Sequence, residues 1–203
     1  MATLNERMVR RIRGTVHACK KCDGLDDTDA LCIDQKEIGL NYIYPRKTPI
    51  NILFVAESPP KPGNGFFYDS QIANHRFRNR LFKLINESGL GHVNTLEDFT
   101  GKDYYLADAL NCRWNKSRKN YLSVKIFRNC SLYLAQQIEL FKPKLIVAMG
   151  NKASISLSYP HVEEAIGRVK IPDANIIRMS FILVASNETD AQKIEKLKSI
   201  ACR

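Results

Sequence analysis

The sequence predicts an α/β fold, a three-layer α/β/α arrangement around a four-stranded parallel sheet. Two observations predict it. Four short apolar runs, "NILFVAES" (51–58), "YYLADAL" (104–110), "KLIVAMG" (144–150) and "SFILVAS" (180–186), are nearly continuous in β-branched and apolar residues, as strands buried on both faces are. Helical patterns separate the runs, and strands alternating with helices mean βαβ crossovers onto one parallel sheet.

Each element has its own signal. The four runs are shorter than ten residues, which favours strands over core helices. After the first run, residues 75–88 place Phe77, Leu81, Leu84 and Ile85 on one helical face. After the second, residues 123–141 space Val124, Phe127, Leu134, Ile138 and Phe141 as a helix does. After the third, Gly150 precedes a short helix over 151–158. A last helix covers 189–201, with Asn187 or Thr189 as its cap.

The chain has 203 residues, enough for one domain with a substantial core. The expectation is a single domain over 1–203, with an N-terminal segment of about 1–35 outside the strand pattern. No apolar run approaches the ~20 residues that span a bilayer. "MATLNERMVRRIRG" is basic, but no apolar stretch follows it, unlike a secretory signal. A cytoplasmic monomer without a membrane partner is expected.

The net charge is +10, from 31 Lys and Arg against 21 Asp and Glu. The excess clusters in "RMVRRIR" (7–13), "HRFRNRLFK" (75–83) and "RWNKSRKNYLSVKIFR" (113–128). Basic clusters with interleaved aromatics suit a phosphate backbone and base stacking. The alternative is an inert basic surface. If DNA is the partner, Arg113, Lys116, Arg118 and Lys119 form the loop expected to touch it.

Parallel sheets place their sites beyond the carboxyl ends of the strands. That rule selects Glu57-Ser58, Asp108 to Arg113, Gly150-Asn151 and Ser186-Asn187-Glu188, and polar residues stand at each. Six cysteines in a chain of this kind point to metal or catalysis rather than disulfides. Cys19 and Cys22 form a CxxC. With Cys112 and Cys130 they make four thiolates, a set that suits Zn²⁺ or a [4Fe–4S] cluster. Alternatively, Cys112 and Cys130 are small buried hydrophobes.

In order along the chain stand Cys19-x-x-Cys22, "VAESPP" (55–60), "DALNCRW" (108–114), Cys130, "PKLIVAMG" (143–150) and "VASNET" (184–189). This order resembles the uracil-DNA glycosylase superfamily, and within it the iron–sulfur-containing family 4 branch. That branch has an N-terminal CxxC, a "GEAPG"-like strand end, an "NVVKCRPP"-type strand, a fourth cysteine, a "PKVIVALG"-like strand and an "HPS" motif. The resemblance covers nearly the whole chain. It implies a monofunctional DNA glycosylase that flips a nucleotide from duplex or single-stranded DNA into a pocket. It also implies a structural [4Fe–4S] cluster on Cys19, Cys22, Cys112 and Cys130, pinning the basic N-terminal segment to the sheet.

The departures from the family pattern matter for the chemistry. Glu57 matches the acidic position of the first motif and is the candidate for holding water or stabilising a sugar cation; a loop cap is the other reading. Ala56 and Pro60 replace that motif's glycines. "GNGFFYD" (63–69) resembles the segment that supplies a stacking ring, Phe66 or Phe67, unless both pack in the core. The family histidine is absent, and Asn187 of "SNET" is the candidate amide donor or a plain loop residue. Asn111, beside Cys112, joins the substrate-binding candidates. Asp108 stands where the family asparagine reads uracil. An ionised aspartate cannot donate to O4, but it accepts from an exocyclic amino group. That favours a modified cytosine, in repair or in defence against foreign DNA. Uracil repair with another reader, a catalytically silent DNA-binding relative and a zinc-stabilised interaction module are the alternatives.

Overall fold

The structure is a computed structural model, and it describes residues 48–59, 65–72, 74–111, 124–182 and 188–201. The segment of about 1–35 lies outside the described residues. Four strands, β1 (Ile52–Ala56), β2 (Tyr104–Asp108), β3 (Leu145–Met149) and β4 (Ile176–Met179), form one sheet in the order β2-β1-β3-β4. Every pairing is parallel. Ile52 lies opposite Tyr104 and Leu145, and Ala56 lies opposite Asp108.

Side chains alternate across the sheet and so build two cores. Leu53, Val55, Tyr105, Ala107, Ile146 and Ala148 pack on one face. Their partners come from α3 (Val124–Phe141), α4 (Asn151–Ser156) and α5 (Pro160–Val169). Ile52, Phe54, Tyr104, Leu106, Leu145 and Val147 pack on the other face. There they meet α1 (Arg76–Glu87), α2 (Leu96–Gly101) and α6 (Asp190–Ala201). The arrangement follows from right-handed crossovers. The step from β1 to β2 runs one way along the sheet and puts α1 and α2 on one face. The steps to β3 and β4 run the other way and put α3 to α5 on the opposite face.

The three-layer fold and the first three strands agree with the sequence expectation. The fourth strand does not. It occupies "IIRM" at Ile176–Met179, not the run 180–186. Among the described residues of that run, 180–182 are outside any strand, and 183–187 lie beyond what is described. The reason is an edge position. β4 has one sheet neighbour, so Arg178 is exposed and the run loses the unbroken apolar look of a buried strand. A 3₁₀ turn over Asp173–Asn175 also starts the strand early.

α2 and α5 were not singled out, although both carry start signals. Thr95 accepts from the Asp98 N–H at 3.0 Å while Asp98 accepts from the Thr95 N–H, also at 3.0 Å, a reciprocal cap. Pro160 occupies the first turn of α5, where its missing N–H costs nothing. Thr189 does cap α6. Its Oγ1 accepts from the Gln192 N–H at 3.3 Å, and the Gln192 side chain accepts from the Thr189 N–H at 2.7 Å.

Candidate active site

The chain leaves β1 toward β2 and leaves β3 toward β4, in opposite directions. The carboxyl ends of β1 and β3 therefore flank a topological switch point, where open α/β sheets take their ligands. Pairing continues a step beyond β1 and β2. The Ala109 N–H donates to the Ala56 carbonyl at 2.8 Å, and the Leu110 N–H donates to the Glu57 carbonyl at 3.0 Å. These two bonds hold Glu57, Asp108 and Asn111 at one edge of the sheet.

Glu57 is half-buried there. Asp108 is buried at the last position of β2. Tyr104 and Leu106 belong to the α1 face, so the period-2 alternation puts Asp108 on that face too. Asn111 is 2% exposed, and its Nδ2 has no hydrogen-bond partner among the described residues. At the end of β3, the Gly150 N–H donates to the Met179 carbonyl at 2.8 Å. Gly150 has φ +102, and a Cβ there would lie 3.4 Å from the Phe181 Cβ.

The segment after β1 is fixed from three directions. β2 is an edge strand, and the Tyr68 hydroxyl caps its open side. It donates to the Leu106 carbonyl at 3.1 Å and accepts from the Leu106 N–H at 2.6 Å. A side chain thus replaces a missing strand and brings residues 66–68 against β2, two positions from Asp108. Buried Arg78 donates to the carbonyls of Phe67 and Asp69, both at 2.9 Å, and to that of Ile72. His75 caps α1: its Nδ1 accepts from the Arg78 N–H at 3.1 Å, and its Nε2 donates to the Gly65 carbonyl at 2.9 Å. The Nδ1 bond needs the neutral ring, whereas the Nε2–H donates in either protonation state. Burial, helped by the Arg78 charge, lowers the His75 pKa from its ordinary 6.5. A Cβ at Gly65 would sit 1.4 Å from the Ile72 Cδ1, so a larger residue there requires the Ile72 side chain to turn away.

The fourth strand end is tied back by Glu188. Its carboxylate accepts from the Ser180 N–H and from Lys196 Nζ, both at 2.5 Å. Burial alone would raise its pKa, but these bonds outweigh it and hold the carboxyl below its ordinary range. Residue 188 is therefore bound one position beyond β4, although the strand lies earlier than expected. Asp190 pairs with Arg80 of α1. Lys193, buried in the first turn of α6, lies 4.0 Å from Asp190.

The structure thus gathers Glu57, Asp108 and Asn111 at one sheet edge and sets Phe66 and Phe67 close to β2. Phe67 is the hub of an aromatic group, with Tyr68, Phe99 and Phe82 at 4.9, 5.3 and 6.1 Å between ring centroids. Phe66 is buried beside it. Cys130 is buried on α3. Asn187, Cys19, Cys22, Cys112, Arg113, Lys116, Arg118 and Lys119 lie outside the described residues. Among the described residues, no three His, Cys, Asp or Glu side chains converge on a metal position. Sequence reasoning missed Tyr68, Arg78, His75 and Glu188 as positioning groups. Each has a backbone atom among its partners, and no residue pattern announces those.

No curated protein matches this chain. A family model described as the uracil DNA glycosylase superfamily matches residues 46–192. The matched span holds the whole sheet and all the gathered site residues. The chain belongs to the uracil DNA glycosylase superfamily, and with it to the DNA glycosylases, hydrolases that act on DNA.

Proposed function

We propose that this protein is a monofunctional glycosylase that hydrolyses the N-glycosidic bond of a flipped-out, modified cytosine-type base. The observation that carries the reading is Asp108. It is buried at the end of β2, on the face where residues 66–68 dock, and by the sequence resemblance it corresponds to the family's reading asparagine. A carboxylate there accepts from an N4 amino group and opposes a uracil O4. Loss of ordinary cytosine would damage the host genome, so the substrate is a modified cytosine, met in repair or on foreign DNA.

In this reading Phe66 stacks on the base and Phe67 backs it within the aromatic group. Glu57, at the end of β1, orients the attacking water and stabilises positive charge on the sugar. Asn187 donates to the departing base, the task of the missing histidine. Arg113, Lys116, Arg118 and Lys119 hold phosphates. Cys19, Cys22, Cys112 and Cys130 hold a structural [4Fe–4S] cluster, which takes no part in the chemistry. The burial of Cys130 fits a ligand sealed from water.

Base release from duplexes carrying uracil or modified cytosines, followed by alkaline cleavage at abasic sites, tests the reading. Glu57→Gln should lower excision by ~10²-fold or more while DNA binding persists. Asp108→Asn should weaken release of the native base and raise release of uracil, a discrimination of about 1–3 kcal/mol. An unchanged base preference in Asp108→Asn would remove this strand position from base reading. DNA binding without release of any base would establish a silent relative.

A further inference from the structure

We infer that Asn111 is a second base-reading residue, whose side-chain amide donates to a ring acceptor of the flipped pyrimidine while Asp108 accepts from its neighbour. The inference rests on the base-excision reading above and deepens it. Asn111 is 2% exposed, yet among the described residues its Nδ2 has no hydrogen-bond partner. A buried donor without an acceptor destabilises a protein, and native structures retain few of them. Its position is also fixed. The Ala109 and Leu110 N–H groups bond to the end of β1, so the turn carrying Asn111 is anchored beside Glu57. An anchored, desolvated donor at the carboxyl edge of a parallel sheet is arranged for an acceptor brought by a ligand.

The chemistry of the base completes the match. A cytosine-type edge presents the N4 amino donor, then the N3 and O2 acceptors. Asp108 supplies the acceptor for N4–H, and Asn111 supplies the donor for N3 or O2. Negative charge gathers on those two atoms as the base leaves, so a donor there gains strength toward the transition state. Two residues three positions apart thus divide the donor and acceptor roles that one asparagine amide combines.

The test uses Asn111→Asp, which keeps the shape and removes the donor, and Asn111→Leu, which removes the polar group. Base release is measured on duplexes carrying 5-methylcytosine, 5-hydroxymethylcytosine or uracil, and Tm is measured without DNA. Both variants should release the preferred base more slowly by ~10-fold or more. Asn111→Leu should still unfold cooperatively, which the melting measurement without DNA checks. Release by Asn111→Leu within about twofold of wild type would overturn the assignment. If wild type prefers uracil and both variants lose it, the cytosine reading falls while Asn111 keeps its role. If wild type releases no base, the readout is its binding preference for a mismatched cytosine over an abasic site. Asn111→Leu must abolish that preference, and its persistence would overturn the inference.

Discussion

At the scale of single residues, the candidate site is held in place mostly by groups that never reach a substrate. Arg78 illustrates this. It is buried, and three backbone carbonyls of the 66–72 segment satisfy its guanidinium. Burial lowers its pKa from the ordinary arginine value, and its fork geometry matches several acceptors at once. His75 does the same job in a way that depends on pH. The folded protein holds the ring neutral, with its pKa below 6.5. The unfolded chain protonates first as pH falls, so the stability that His75 contributes is complete above about 6.5 and is lost below it. Arg78 and Asp69 are the charges that act on the ring, the first lowering its pKa and the second raising it. Denaturant unfolding at pH 7.5 and pH 5 should show wild type losing more stability than His75→Asn. Asparagine keeps a capping oxygen but does not titrate. Equal losses in the two proteins would show that the ring does not govern acid stability. None of this was legible beforehand, because a histidine that caps a helix and an arginine that binds carbonyls look like any basic residues in "HRFRNRLFK".

At the scale of elements, the buried strands were legible and the edge strand was not. β1 and β3 have neighbours on both sides and helices on both faces, so all their positions are apolar and their limits can be read within a residue or two. β4 has one neighbour, and its exposed Arg178 hides it. The site residues at the ends of β1 and β2 were legible for the same reason as the strands, since a parallel sheet sends all its carboxyl ends to one edge. The link from Glu188 back to Ser180 was not legible, because it depends on a loop path. Gly150 shows how tightly one element end is specified. With φ +102 and the Phe181 Cβ 3.4 Å from any added Cβ, it joins β3 to α4 in a conformation that only glycine adopts without strain. Gly150→Ala should cost about 1–3 kcal/mol, measured by the shift of its urea unfolding midpoint. A change below about 0.5 kcal/mol, the usual range for an inert substitution, would show that the backbone relaxes freely there.

At the scale of the whole molecule, the proposed function puts the chemistry at the sheet edge and the affinity in the basic segments. The two have to be joined. The sheet edge presents acidic and neutral groups, Glu57, Asp108 and Asn111. The excess of ten positive charges is concentrated in 7–13, 75–83 and 113–128. Two of the proposed cluster ligands, Cys19 and Cys22, follow the first basic segment, and the other two, Cys112 and Cys130, bracket the third. A cluster on these thiolates would fasten both basic segments to the rim of the site, so its loss should affect DNA binding as well as stability. Purified protein should absorb broadly near ~400 nm and contain about four irons per chain. Cys130→Ala should bleach that absorption and lower Tm. It should also weaken duplex binding, with a shallower dependence of affinity on salt, because fewer phosphates would be contacted. One zinc per chain with no iron would replace the cluster by a zinc site. Bleaching that leaves both affinity and salt dependence unchanged would mean that the cluster stabilises the chain without organising its DNA surface.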